Sequence, residues 1–154
     1  MKIFALGKMI GIGMTAALLA MAADVDIYTP QDLQAAGHKL AQKGAPFASQ
    51  PLQKYDGHYT MLAYRETTGS AEVHEKEADV FVAVDGSASI VTGGKLVSPH
   101  TEKPGELRGA SIEGGERHAL PQGSIIHIPA GTPHQLLIEK GQPFTYFVVK
   151  VIEK

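Results

Sequence analysis

The chain has 154 residues, 44% hydrophobic and 19% charged, with a formal net charge of −2. That is one domain's worth of chain and enough for one buried core; without clustered Lys and Arg it offers no surface for nucleic acid or for an anionic membrane. There is no Cys, which excludes a disulfide framework, a thiolate metal site and a cysteine nucleophile.

The first segment, residues 1–23, reads as a signal peptide. Lys2 and Lys8 supply a positive start, and the apolar run from Met9 to Leu19 is short for a membrane span. Ala20-Met21-Ala22 then places small residues where a signal peptidase reads them. Cleavage after Ala22 or Ala23 predicts an exported mature chain, periplasmic or secreted, that starts near Asp24 and keeps no membrane anchor.

Residues 24–57 are expected to form a short helix and a lead-in. Thr29-Pro30-Gln31-Asp32 has an N-cap hydroxyl, a Pro at the first helical position and an acid at the positive end. Leu33, Ala36 and Leu40 recur at helical spacing, so the pattern predicts one amphipathic helix over 30–43, closed by Lys43-Gly44 and packed outside a sheet. His38 on it is expected in solvent.

From residue 58 to 154 the pattern is that of a β domain. Strands are predicted at 58–66, 71–77 and 79–84, and Asp85-Gly86 signals a tight hairpin. Ser87 to Thr92, Lys95 to Ser98, Glu116 to Leu120, Ser124 to Ile128, Gln135 to Glu139 and Phe144 to Val151 complete the series. Residues 99–115, rich in Gly, Pro and charge, read as a long loop with at most one short strand. Many short strands with regular turns and a single helix mean an all-β sandwich or barrel.

The chemistry concentrates in two stretches, Gly69 to Gly86 and Gly123 to His134. Glu72 and His74 are two apart and share one strand face. A bend after Glu77 would add Asp79 to that face, and the rigid turn Pro129-Ala-Gly131-Thr-Pro133 presents His134 at a strand start. Two imidazoles with one or two carboxylates suit Fe(II), Mn(II), Ni(II) or Zn(II), and leave coordination positions open for water or substrate. Glu72, His74, Asp79 and His134 are therefore the candidate metal ligands. Glu75, Lys76 and Glu77 read as a solvated edge. His127, between Ile126 and Ile128, falls on the opposite face and is expected at a surface, as are His100 and His118. Arg65, Arg108 and Arg117 are candidates for holding an acidic substrate.

The same two stretches resemble the two motifs of the cupin superfamily. The usual first motif has two histidines one residue apart, then an acid, then a Gly; His74, Asp79 and Gly86 match the last three positions. The usual second motif is Gly, Pro-x-Gly, His and a later Asn; Gly123, Pro129, Gly131 and His134 match it. The resemblance covers residues 65–150. Glu72 stands for the first histidine, Asp79 for the longer Glu, and Ile138 for the Asn. The resemblance implies a small jelly-roll β-barrel with a metal inside, often as a homodimer. It implies no single reaction, because the fold hosts dioxygenases, isomerases, decarboxylases and binders. The expected roles are thus a metal-dependent enzyme on a small molecule (oxygen-dependent cleavage, or isomerisation with Glu72 moving the proton), a small-ligand-binding module, or a structural dimer whose altered first motif marks a lost site.

Overall fold

The computed structural model describes residues 25–154, so the signal-peptide reading of 1–23 lies outside the described residues. Helix α1 runs Pro30–Ala41 and begins as its sequence dictates. The Thr29 hydroxyl accepts the Asp32 backbone N–H at 3.1 Å, and the Asp32 carboxylate accepts the Thr29 N–H at 3.2 Å, a reciprocal cap. The helix ends two residues earlier than expected, and Gly44 follows in the left-handed region at φ 71°. Among the described residues no helix is long and apolar enough to cross a membrane.

The strands are β1 (Phe47–Lys54), β2 (His58–Arg65), β3 (Ala71–His74), β4 (Glu77–Gly86), β5 (Ala88–Thr92), β6 (Lys95–Val97), β7 (His100–Lys103), β8 (Glu106–Gly109), β9 (Ser111–Glu113), β10 (Glu116–Leu120), β11 (Ile125–Ile128), β12 (His134–Leu137) and β13 (Phe144–Ile152). They form a sheet in the order β1-β2-β13-β4-β11, a facing sheet in the order β10-β5-β12-β3-β8-β7, and a β6-β9 ribbon. Every pairing is antiparallel. Phe81, Ile90, Ile128, Leu136, Phe144 and Val148 pack together in the main core. On the outer face of the first sheet, Leu40 of α1 packs with Leu62, Tyr64 and Val84. The all-β jelly roll with one helix is the architecture the sequence predicts.

Three local expectations change. The lead-in contains β1, a strand hidden by Pro51 and its polar neighbours; it lies at a sheet edge, where a missing N–H is tolerated. Residues 99–115 are no long loop, since they carry β7, β8 and β9. Asp85-Gly86 is not a tight hairpin: β4 and β5 lie in different sheets, and the chain turns a corner between them. Gly86 sits there at φ 75°, and a Cβ would run into the Pro143 carbonyl.

Gly37 lies inside α1 on its buried face, against Thr145 of β13. Helix propensity alone favours Ala there by about 1 kcal/mol. A Cβ, however, would stand 2.6 Å from Thr145 Cγ2, on a buried and β-branched side chain with little freedom to move. Gly37→Ala is therefore expected to destabilise the fold by roughly 1–3 kcal/mol, read as a lower midpoint in denaturant unfolding.

Candidate metal centre

The site is built by strand register. On the second sheet, β3 lies between β12 and β8, which places Glu72 opposite His134 on one side and Arg108 on the other. The same β3–β8 register sets His74 opposite Glu106. Between His74 and Glu77 the chain leaves this sheet for the other, bending at Glu75–Lys76 rather than after Glu77. Asp79 therefore approaches from the facing sheet, where β13 places Lys150 directly across from it. Glu72, His74 and His134 come together in one group, and Asp79 adjoins it from the opposite wall of the barrel.

Their geometry is close. His74 Nε2 lies 3.3 Å from Glu72 Oε2 and 3.5 Å from Asp79 Oδ2. His134 Nε2 is also 3.5 Å from Asp79 Oδ2, and the two imidazole centroids are 5.2 Å apart. Glu72, His74 and His134 each offer a ligand atom within 4.8 Å of the others. Asp79 lies outside that group, beside its two imidazoles and with one oxygen engaged, for Lys150 Nζ is 2.7 Å from its Oδ1.

Each imidazole is held by its other nitrogen. His74 Nδ1 is 2.7 Å from Glu106 Oε1, and His134 Nδ1 is 3.0 Å from the Thr132 carbonyl, which can only accept. Both Nε2 atoms are buried and have no well-aligned hydrogen-bond partner. Buried polar atoms are seldom left so. An anchored Nδ1 and an Nε2 aimed at a common point beside carboxylate oxygens are what a metal-ligating imidazole requires, so the residues present fit a metal ion.

The surrounding charges are paired. Arg108 bridges two carboxylates, with Nη1 2.6 Å from Glu72 Oε2 and Nη2 3.2 Å from Glu106 Oε2. Arg65 Nη2 is 3.7 Å from Glu72 Oε1; its Nε donates to the Tyr146 hydroxyl at 3.1 Å, and its guanidinium lies 4.2 Å over the Phe47 ring. Burial opposes the charge of Glu72, but His74 and Arg108 outweigh it and hold the carboxyl well below its usual range. Burial likewise disfavours a proton on His74, yet Glu72, Asp79 and Glu106 raise its pKa. The same carboxylates would also attract a metal ion, which competes with that proton. Burial lowers His134 and raises Tyr146.

Beside these groups is a cavity of about 230 Å3, lined by Arg65, Arg108 and Lys150 and walled by Met61, Phe81 and Val148. Arg65 and Arg108 are thus in the cavity, whereas Arg117 is exposed and bonds Ser89. His127 is exposed while Ile128 is buried, His100 is exposed and His118 is part-exposed beside Thr92, all as expected of surface groups. His38 is exposed near Asp85. Glu77 departs from the solvated-edge reading: it is half-buried and accepts from the Tyr59 hydroxyl at 3.0 Å. The sequence reading missed Glu106 and Lys150. Glu106-Leu107-Arg108 does alternate charge with an apolar residue at period two, the signal of a short strand, but the surrounding Gly and Pro obscured it.

Lys150 neutralises Asp79, whose side chain is 1% exposed. Lys150→Met would leave a buried carboxylate without its cation, a change that costs about 3–5 kcal/mol. Denaturant unfolding of the metal-free protein should show a loss of that size.

No protein-family model and no curated protein sequence matches the chain. Similarity appears in solved structures. The TT1209 protein of Thermus thermophilus superposes with a TM-score of 0.51 at 21% identity, over 70% of this chain and 85% of that one. The cupin domain of Schizosaccharomyces pombe Cnp3 gives a TM-score of 0.54 at 5% identity, over 71% and 66%. The DMSP lyase DddQ of Ruegeria pomeroyi DSS-3 gives 0.51 at 18% identity, and the match spans 72% of this chain but 49% of that protein. Identities this low speak for the fold alone, and they agree with the architecture. This chain has the fold of the cupin superfamily.

Proposed function

We propose that this cupin holds one divalent first-row metal ion (Fe, Mn, Ni or Zn) on His74, His134 and Glu72, with Asp79 beside them, and acts there on a small molecule. The observation that carries this reading is the pair of buried Nε2 atoms, directed at one point beside Glu72 and Asp79 with no well-aligned hydrogen bond, while both Nδ1 atoms are anchored. A bound ion would supply Lewis acidity toward a substrate oxygen or, if redox-active, electron transfer. The chain's own groups do the rest. Glu106 fixes the ring of His74, Arg108 orients Glu72, and the burial of His74, Asp79 and His134 keeps their ligand atoms out of bulk water.

Of the two reaction types expected, proton transfer by Glu72 has the weaker support. Its carboxylate lies within 2.6 Å of Arg108 and near Arg65, so it is a stabilised anion and a poor base. Ligation of an ion suits it better, and this favours chemistry carried by the metal, of which oxygen-dependent cleavage is the clearest case. A second reading is a binding module that holds metal and ligand without turnover. Its support is that Glu72, Asp79 and Glu106 are each already beside a cation, which makes all three poor bases.

Purified without a chelating tag, the chain is expected to carry stoichiometric metal by elemental analysis, and His134→Ala should carry none. Unchanged metal in that variant would defeat the ligand set; a metal-free parent chain that takes up none when supplied would favour the lost-site reading. Glu106→Gln should keep the site but weaken metal affinity about 10–100-fold, as loss of an imidazole's orienting partner does. Oxygen consumption with a catechol and thiol panel then separates oxygenase from binder.

The lysines and Ala20-Met21-Ala22 of the first segment support export as well. Intact-mass measurement of the chain from an exporting bacterial host should give a mature form starting at Ala23 or Asp24. An unprocessed chain confined to the cytoplasm would refute it.

A further inference from the structure

We infer that metal and a small carboxylate bind this cavity cooperatively, because a metal ion on Glu72 releases the arginines that now neutralise that residue. The inference rests on the metal centre proposed above and concerns what the site takes next. Glu72, Asp79 and Glu106 are matched by Arg65, Arg108 and Lys150, and the exposed Lys103 lies a further 3.9 Å from Glu106. Buried charges persist only when matched, and Glu72, Asp79 and Glu106 each have a cation beside them without any ion, while Glu77 next to them bonds the Tyr59 hydroxyl.

A divalent ion breaks that match. Glu72 Oε2 is 2.6 Å from Arg108 Nη1 and 3.3 Å from His74 Nε2, so the ion and the guanidinium compete for the same oxygen. Turning Glu72 toward the ion takes the carboxylate charge away from Arg108 Nη1, a buried atom, while Nη2 stays with Glu106. The ion brings two positive charges, and even where it displaces a proton from His74 the cluster gains at least one. A ligand anion restores the match. The cavity is made for one: Arg65, Arg108 and Lys150 line it, and Met61, Phe81 and Val148 give it an apolar wall. The planar guanidinium fork favours a carboxylate, and the wall favours an apolar body attached to it. The ligand class is therefore a small organic acid.

Linkage makes the effect reciprocal, so the acid must raise metal affinity by the same factor that metal raises affinity for the acid. The test is calorimetric titration of Zn(II) into the metal-stripped chain, alone, with benzoate, and with the neutral isostere benzamide. Benzoate is expected to tighten Zn(II) binding by about 10-fold or more, within the usual range of coupling between sites, and benzamide to leave it unchanged. Equal Zn(II) affinity in benzoate and benzamide overturns the coupling while the metal centre stands. Absence of Zn(II) binding under every condition overturns the metal centre and the coupling with it. Arg108→Gln separates released arginines from simple coordination of benzoate to the ion. It should still bind Zn(II), with Glu72 no longer shared, yet lose most of the benzoate effect. Arg65→Gln carries the same test should Arg108→Gln fail to fold. Full coupling in a folded arginine variant overturns the role given to these side chains.

Discussion

A carboxylate taken out of water needs a positive charge within a few ångströms, and the interior of this barrel is arranged around that need. Asp79 is almost wholly enclosed and faces Lys150; Glu72 and Glu106 share Arg108. None of these acids would be tolerated alone in a small β-barrel, where the cost of an unmatched buried charge rivals the whole stability of a domain. The cations are therefore as much a part of the site as the residues able to ligate a metal.

Antiparallel register is how the chain meets this constraint. Side chains on directly opposed positions lie close together, and the pairs Glu72–Arg108, His74–Glu106 and Asp79–Lys150 are all opposed across neighbouring strands. One residue of slip in β8 would turn Glu106 and Arg108 away from the cavity and strand their partners. The site thus helps to specify the register that creates it. The turn at Glu75–Lys76 adds the third dimension by carrying the chain from one sheet to the other, so that Asp79 meets His74 across the barrel.

The departures from the motifs that the two stretches resemble form a consistent set. An anion at Glu72, where an imidazole is usual, calls for added positive charge, and Arg65 and Arg108 stand beside it. Asp79 is shorter than Glu and leaves room for the Lys150 ammonium against it. Ile138, in place of Asn, is buried in the main core with Phe144 and Leu136, so that position contributes packing rather than polarity.

Periodicity and turn residues alone determined the all-β architecture, the capped helix and the strands that carry the candidate ligands, because those signals are local. They also determined that Glu72 and His74 share a face and that His127 lies outside, since alternation fixes both. What joins the two motifs is not local. Only the tertiary structure decided that Asp79 comes from the opposite wall, that 100–113 forms strands, and that Glu106, Arg108 and Lys150 complete the cluster. Those facts depend on which strands become neighbours, and in what register. The reason is physical: hydrogen-bonded pairing between distant segments is chosen by the collective burial of core and charge, and no single segment encodes its partner.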